Sequence, residues 1–203
     1  MKTAASLPEL NACLEVVTAA LGDPNRALLR RVFFIAEDKS KYVSVGFYPA
    51  RGYQPLSEFG GAKKLPLFLN AQHLQTQAEN ITALWDALST NEHFSKKDGD
   101  FKMNTPGCYR LACVYLDKHY LSYTYEELHN LAYVMYMIQN QMTYYIAAMT
   151  DVMAYIDAAH DSVTFVEPPS TANKSINYYQ LFEEIKYVLS LNTYSVHVCA
   201  CVF

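Results

Sequence analysis

The sequence predicts an α+β fold in which one domain of 203 residues contains two sheet-plus-helix units. Three observations indicate this class. Short segments rich in Val, Ile, Phe and Tyr have the character of strands, two longer segments place apolar residues at helical spacing, and the order of strands followed by a helix occurs twice. The composition agrees, since 17 Tyr and 10 Phe with only 18% charged residues are typical of a packed core.

The first predicted element is a helix over residues 8–21, inside an N-terminal region of residues 1–23. Ser6 lies near its cap and Pro8 in its first turn, and both positions favour the start of a helix. We find no apolar segment of the kind that directs secretion and no uninterrupted apolar run of about 18 residues. We therefore expect neither export nor a membrane span.

The first sheet-plus-helix unit begins with a predicted hairpin of residues 31–36 and 41–48. Its second strand alternates Val and Phe with Tyr and Ser, so one face should be buried. Residues 49–61 are expected to form a loop or a short strand, and a strand over residues 65–69 leads into a helix that Asn70 caps. The apolar stripe of this helix consists of Leu74, Ala78, Ile81, Trp85 and Leu88.

The second unit is predicted to contain a strand pair and a long helix. Residues 89–107 are polar and are expected to form a mobile connection, after which residues 109–117 and 120–123 form the strands. Thr124 caps a helix whose apolar residues alternate spacings of three and four. Because the flanks of this seam are uncharged, we expect it in the core or in a homo-oligomer interface. The candidate oligomerisation residues are Leu131, Met135, Ile138, Met142, Tyr145 and Met149.

The C-terminal part is predicted to hold one more helix and a strand. Pro168 and Pro169 mark a boundary, after which residues 175–191 have helical spacing and residues 194–203 have the character of a strand. The regions of this single domain are therefore residues 1–23, 28–90, 101–160 and 170–203.

The net charge of −4 is unevenly distributed along the chain. Residues 24–118 carry +4 and residues 119–203 carry −6, so a surface that binds a polyanion must lie in the middle region. Five cysteines, an odd number, without an export signal indicate reduced thiols and an intracellular location, in the cytoplasm or nucleus.

The sequence contains none of the common catalytic motifs, so we do not expect an enzyme. His129 and Glu126 lie one helical turn apart, but a surface contact explains this spacing better than an acid–base pair. His197, Cys199 and Cys201 would share one face of the predicted terminal strand, yet three ligands leave a zinc site incomplete. We therefore expect no metal and no other cofactor.

Basic and aromatic residues are interleaved in the middle region, where Lys96 and Lys97 also lie. Tyrosine rings can stack on unpaired bases while Lys and Arg contact phosphates, so this pattern favours single-stranded nucleic acid as the partner. The alternative is that the rings are packing residues and the lysines form a solvated face. The candidate nucleic-acid-binding residues are Lys41, Tyr42, Tyr48, Arg51, Tyr53, Lys63, Lys64, Lys102, Tyr109, Arg110 and Lys118.

Two strand-to-helix junctions, residues 67–74 and 121–128, repeat at an offset of 54 positions. With residues 42–53, 98–101 and 110–116, this order resembles the Whirly proteins and the related transcriptional positive-cofactor and kinetoplastid mitochondrial RNA-binding proteins. The resemblance covers about residues 30–145 and implies binding of single-stranded DNA or RNA. The alternative is a structural or interaction protein, for instance a viral or effector component, that assembles through its apolar long helix.

Overall fold

A computed structural model describes residues 27–61, 64–106, 110–160, 162 and 164–200, without the side chains of residue 64 and residues 190–200. In this part of the chain, two four-stranded antiparallel sheets combine with three helices, which confirms the α+β class. The helix predicted over residues 8–21 lies outside the described residues.

Four strands in chain order form the first sheet, and a helix follows them. The elements are β1 (Leu28–Phe34), β2 (Lys41–Tyr48), β3 (Gln54–Gly61), β4 (Lys64–Leu69) and α1 (Ala71–Thr90). Val43, Phe59 and Leu67 lie opposite one another on β2, β3 and β4 and are buried, because they point to the same face of the sheet. The predicted hairpin with a buried face is therefore confirmed, and most of residues 49–61 form a full strand.

The second sheet begins earlier than the sequence suggested. It contains β5 (Ser95–Asp98), β6 (Phe101–Asn104), β7 (Ala112–Leu116) and β8 (His119–Tyr123), again in chain order. The prediction of a mobile connection over residues 89–107 is wrong, because β5 and β6 pair there as a hairpin. Gly99, with a φ of 61°, makes the turn of this hairpin. Phe101 and Met103 form the buried face of β6.

The long helix α2 (Tyr125–His160) begins at a reciprocal cap. The Glu127 amide donates to the Thr124 hydroxyl over 3.2 Å, and the Thr124 amide donates to the Glu127 carboxylate over 2.8 Å. The helix crosses the first sheet, where the rings of Phe47 and Tyr145 lie 5.0 Å apart. Conversely, α1 packs on the second sheet, where His73 stacks on Phe101 at 5.4 Å. Each helix thus covers the sheet of the other unit.

The heptad seam of α2 is buried within one chain. Five of its six candidate oligomerisation residues are almost wholly buried and Met149 is partly buried against the same core. Because these side chains already pack against the sheets and the last helix, they are not available to a second copy. The seam is therefore an intramolecular packing surface and not the oligomer interface that the sequence also allowed.

The last described element is the helix α3 (Tyr178–Ala200). The prediction of a strand over residues 194–203 is wrong as far as Ala200, and residues 201–203 lie outside the described residues. An apolar run without Gly or Pro does not distinguish a buried strand from a helix, which explains the error. The Nζ of Lys186 on α3 donates to the carbonyl of Ala159 over 2.7 Å, so this cation caps the C-terminus of α2.

Candidate nucleic-acid interface

Two lysines and two tyrosines lie in one row across the outer face of the second sheet. The register pairs Lys97 with Lys102, Lys102 with Tyr115, and Tyr115 with Tyr120, so the row crosses all four strands. The two tyrosine rings stack with centroids 5.5 Å apart, and Lys102 Nζ lies 5.8 Å from the centroid of Tyr115. We call these four residues the Lys97–Tyr120 row.

The four strands place no carboxylate on the outer face around this row. The next row across the sheet has small or amide side chains, and the residues that point outward are Ser95, Lys97, Lys102, Asn104, Cys113, Tyr115, Tyr120 and Ser122. Neither lysine has an acidic partner at ion-pair distance among the described residues. Two cations placed directly opposite each other repel, so a bound anion would stabilise this arrangement.

Two further predicted residues lie at the ends of β7, beside this face. Lys118 is exposed in the turn between β7 and β8, and Arg110 is exposed just before β7 begins. Burial, followed by the nearby Cys113, raises the pKa of Tyr115, so its phenol stays neutral and its ring remains a stacking surface. The site therefore combines cations at both ends of a strand with rings in the middle.

Lys41, one of the predicted nucleic-acid-binding residues, lies on the inner face of the first sheet, the face that packs against α2. Its Nζ donates to Glu127 over 2.6 Å and to the carbonyl of Ser122 over 2.8 Å. This partly buried ion pair joins β2 to the cap of α2 and to β8. Lys41 therefore serves packing between the two units, and its assignment to the nucleic-acid site is corrected.

Tyr42 and Tyr48 lie on the outer face of the first sheet, where both hydroxyls donate to Glu58. The distances are 2.6 Å from Tyr42 and 2.9 Å from Tyr48, and the hydroxyl of Ser44 lies 3.3 Å from the same carboxylate. Burial, followed by Glu58, raises the pKa of Tyr42 to about 12, and the same two causes raise the pKa of Tyr48. Both phenols therefore remain neutral donors that anchor this carboxylate.

The packing around the rings of Tyr42 and Tyr48 leaves little ring surface for bases. Tyr48 is only 2% exposed, and a Cβ on Gly60 would fall 2.3 Å from the Tyr42 ring, so that ring lies flat across the glycine. Arg30 faces Glu58 at 3.7 Å and also lies 5.2 Å from the centroid of Tyr42. The assignment of Tyr48 to base stacking is corrected, because a buried ring offers no face to a base.

Arg51 and Tyr53 do not share a face with Lys102. Arg51 is exposed with its guanidinium 5.2 Å from the ring of Phe68, on the first sheet. Tyr53 packs partly buried against the main core, so its assignment as a stacking residue is also corrected. Lys63 and Tyr109 lie outside the described residues, as does the side chain of Lys64.

Tyr115 and Tyr120 are the residues that the sequence interpretation missed. They lie on either side of the turn between the predicted strands of residues 109–117 and 120–123, so a two-residue hairpin turn would have placed them opposite each other. Lys97 was assigned to a loop, because β5 has no apolar alternation of its own.

In the described part of the chain, no three His, Cys, Asp or Glu side chains converge as metal ligands would. No helix there is long and apolar enough to cross a membrane. No family model, no curated protein and no solved structure matches this chain.

Proposed function

We propose that this protein binds single-stranded DNA or RNA on the outer face of its second sheet. The observation that carries the proposal is the Lys97–Tyr120 row, which sets two lysines beside two stacked rings with no strand carboxylate on the same face. Unpaired bases can stack on the exposed face of a ring in such a pair, while phosphates contact the lysines. A duplex should compete poorly, because its bases already stack on each other.

One feature of the described chain agrees with an intracellular setting for this function. Cys113 is a buried free thiol on the proposed binding sheet, and no disulfide involves it. The proposal assigns no catalytic step and no cofactor, since stacking and phosphate contact alone account for the row.

The lysine contacts can be tested through the salt dependence of binding. Lys97→Gln/Lys102→Gln should weaken binding of a labelled single strand and reduce the slope of log affinity against log salt by about 1.4, at roughly 0.7 for each phosphate contact. Fluorescence anisotropy over a salt series measures both quantities. Lys39→Gln/Lys174→Gln removes the same charge from exposed positions elsewhere and should leave the slope unchanged. Equal loss in both variants, or no binding by the native protein at low salt, would refute the proposal.

Stacking should give a different signature. Tyr120→Leu should weaken binding by about 1–3 kcal/mol while the salt slope stays the same, because the ring contributes no charge. Tyr179→Leu is the matched control, since Tyr179 is also exposed but lies on α3. A changed slope without a lower affinity at fixed salt would contradict a stacking role for Tyr120.

A second candidate function, as a homo-oligomeric interaction protein, is favoured by the solvent face of α2. We propose that a second copy covers this face. Tyr133 is 80% exposed and Tyr136 is 72% exposed, with Met137 and Ile146 also exposed. Between residues 128 and 150 the helix has no Asp, Glu, Lys or Arg, so two copies of this face can meet without like charges opposing each other.

Tyr133→Glu/Tyr136→Glu should convert this oligomer to a monomer, because four carboxylates would meet in a two-fold interface. Light scattering of the native and variant proteins measures the mass, and circular dichroism checks that both are folded. Glu substitutions at exposed Thr82 and Ala83 on α1 are the control and should leave the mass unchanged. A native protein that is monomeric at all accessible concentrations would eliminate this candidate.

A further inference from the structure

A surface cavity of about 530 Å³ lies between α1 and α2. None of its lining residues belongs to the Lys97–Tyr120 row. Trp85 on α1 and the first turns of α2, through Tyr125, Glu126 and His129, line it. The Trp85 ring stacks on Tyr125 with centroids 5.3 Å apart and contacts the His129 ring at 5.2 Å. The volume falls within the range of about 300–1,000 Å³ that is usual for small-molecule sites.

The lining of this cavity has a definite chemistry. Three of its four residues present aromatic rings, and the fourth, Glu126, is an exposed carboxylate in the same helical turn. No lysine or arginine of the described chain lines the cavity. The faces of Trp and Tyr carry negative potential that attracts cations within about 6 Å, and a carboxylate adds a full negative charge to the same space.

We propose that this cavity binds an organic cation, an alkylated ammonium or guanidinium head group. The head would lie against the Trp85 and Tyr125 rings, with its charge beside Glu126. An anionic ligand, such as a nucleic-acid phosphate, is disfavoured because Glu126 would repel it. The site is therefore separate from the proposed nucleic-acid face, and each can fail without the other.

The exposure of the Trp85 and Tyr125 rings also distinguishes this site from ordinary packing between helices. Trp85 was expected on the buried stripe of α1, together with Leu74, Ile81 and Leu88, yet it is only partly buried while those three are buried. Tyr125 is 46% exposed, although the neighbouring Leu128 is fully buried. Large rings that remain beside an open cavity, with a carboxylate among them, fit recognition of a cation better than formation of a core.

Trp85 is the only tryptophan of the chain, so its fluorescence reports directly on this cavity. Choline is a suitable probe, and its uncharged isostere, in which a quaternary carbon replaces the nitrogen, is the control of equal shape. We expect a saturable change of the Trp85 emission with choline and a much weaker response to the isostere. Equal responses to both molecules, or no saturable response to either choline or a methylated-lysine peptide, would overturn the proposal.

Variants separate the charge from the rings. Glu126→Gln and Tyr125→Leu should each weaken choline binding by about threefold to thirtyfold, the range expected for cation–π and comparable ionic contacts. Glu37→Gln removes an equal charge from an exposed loop and should bind choline as the native protein does. Circular dichroism verifies that each variant is folded. Unchanged binding in both cavity variants would show that choline binds elsewhere and would overturn the assignment.

The cation could come from a free molecule or from a side chain of a protein partner. A short peptide that contains trimethylated lysine, compared with the same peptide carrying unmodified lysine and with choline alone, distinguishes these sources. Tighter binding of the methylated peptide than of choline would support a protein partner. Equal binding of choline and the methylated peptide would support a free ammonium ligand.

Discussion

Met142→Lys is expected to destabilise this protein strongly at the level of the single chain. Met142 is 2% exposed on the inner face of α2, among the buried side chains that join the helix to the first sheet. A lysine there would place a charge without a partner in the core, which costs about 3–5 kcal/mol. Small domains are stable by about 5–15 kcal/mol in total, so this loss removes a large part of the free energy of unfolding.

The neighbouring Thr143→Lys is the matched control, because Thr143 is exposed on the same turn and its lysine would remain in water. Urea unfolding followed by circular dichroism should show a much lower midpoint for Met142→Lys and a change below about 0.5 kcal/mol for Thr143→Lys. If Met142→Lys instead kept its unfolding midpoint and only lowered the mass in solution, the seam would be an interface between copies after all.

Alternation and helical spacing were sufficient to predict where most elements lie. The buried face of β2 follows from the alternation of side chains along the strand. The caps at Asn70 and Thr124 depend on hydrogen bonds within a few residues, so the sequence contains these features directly. The β5–β6 hairpin was missed because its strands have four residues each, too few to show a period. The C-terminal error has another cause, since an apolar run fits a helix and a strand equally well.

The site was harder to predict because it depends on which residues share a face. Strand alternation alone already places Lys41 and Tyr42 on opposite sides of β2, so these two could not belong to one surface. By contrast, the partner of Tyr42 and Tyr48 could not be inferred, since Glu58 reaches them only through the β2–β3 register. The same limit applies to the Lys97–Tyr120 row, which exists only through three strand pairings.

Gly46→Ala is expected to be the most damaging small substitution in the first sheet. A Cβ at Gly46 would lie 2.7 Å from the Ala27 Cβ and 2.9 Å from the Leu28 carbonyl oxygen, where the start of β1 lies close to its antiparallel neighbour β2. The pairing of β1 with β2 shifts at this point, and Leu29 has a φ of 52°. The chain therefore has no spare space beside Gly46, and the added methyl group must displace backbone.

The segment that would have to move is fixed from its other side. The Tyr145 hydroxyl of α2 donates to the Leu29 carbonyl, and the Glu184 carboxylate of α3 accepts from the Leu29 amide. Displacing Leu29 would break hydrogen bonds to two helices at once. We therefore expect Gly46→Ala to lose at least the 1–3 kcal/mol that is usual for overpacking, despite the intrinsic gain of about 0.5–1 kcal/mol when Ala replaces Gly in a strand.

Gly52 provides the control that separates lack of space from backbone conformation. Gly52 has a φ of 65°, and a Cβ added there would meet no atom within 4 Å. Gly52→Ala should therefore cost only about 1–2 kcal/mol, the energy needed to hold an Ala backbone in the left-handed region. Asn tolerates that conformation, and Gly52→Asn should recover part of the loss, whereas Gly46→Asn should be worse than Gly46→Ala. Urea midpoints of the four variants measure these differences. A smaller loss for Gly46→Ala than for Gly52→Ala would contradict the close approach of β1 to β2.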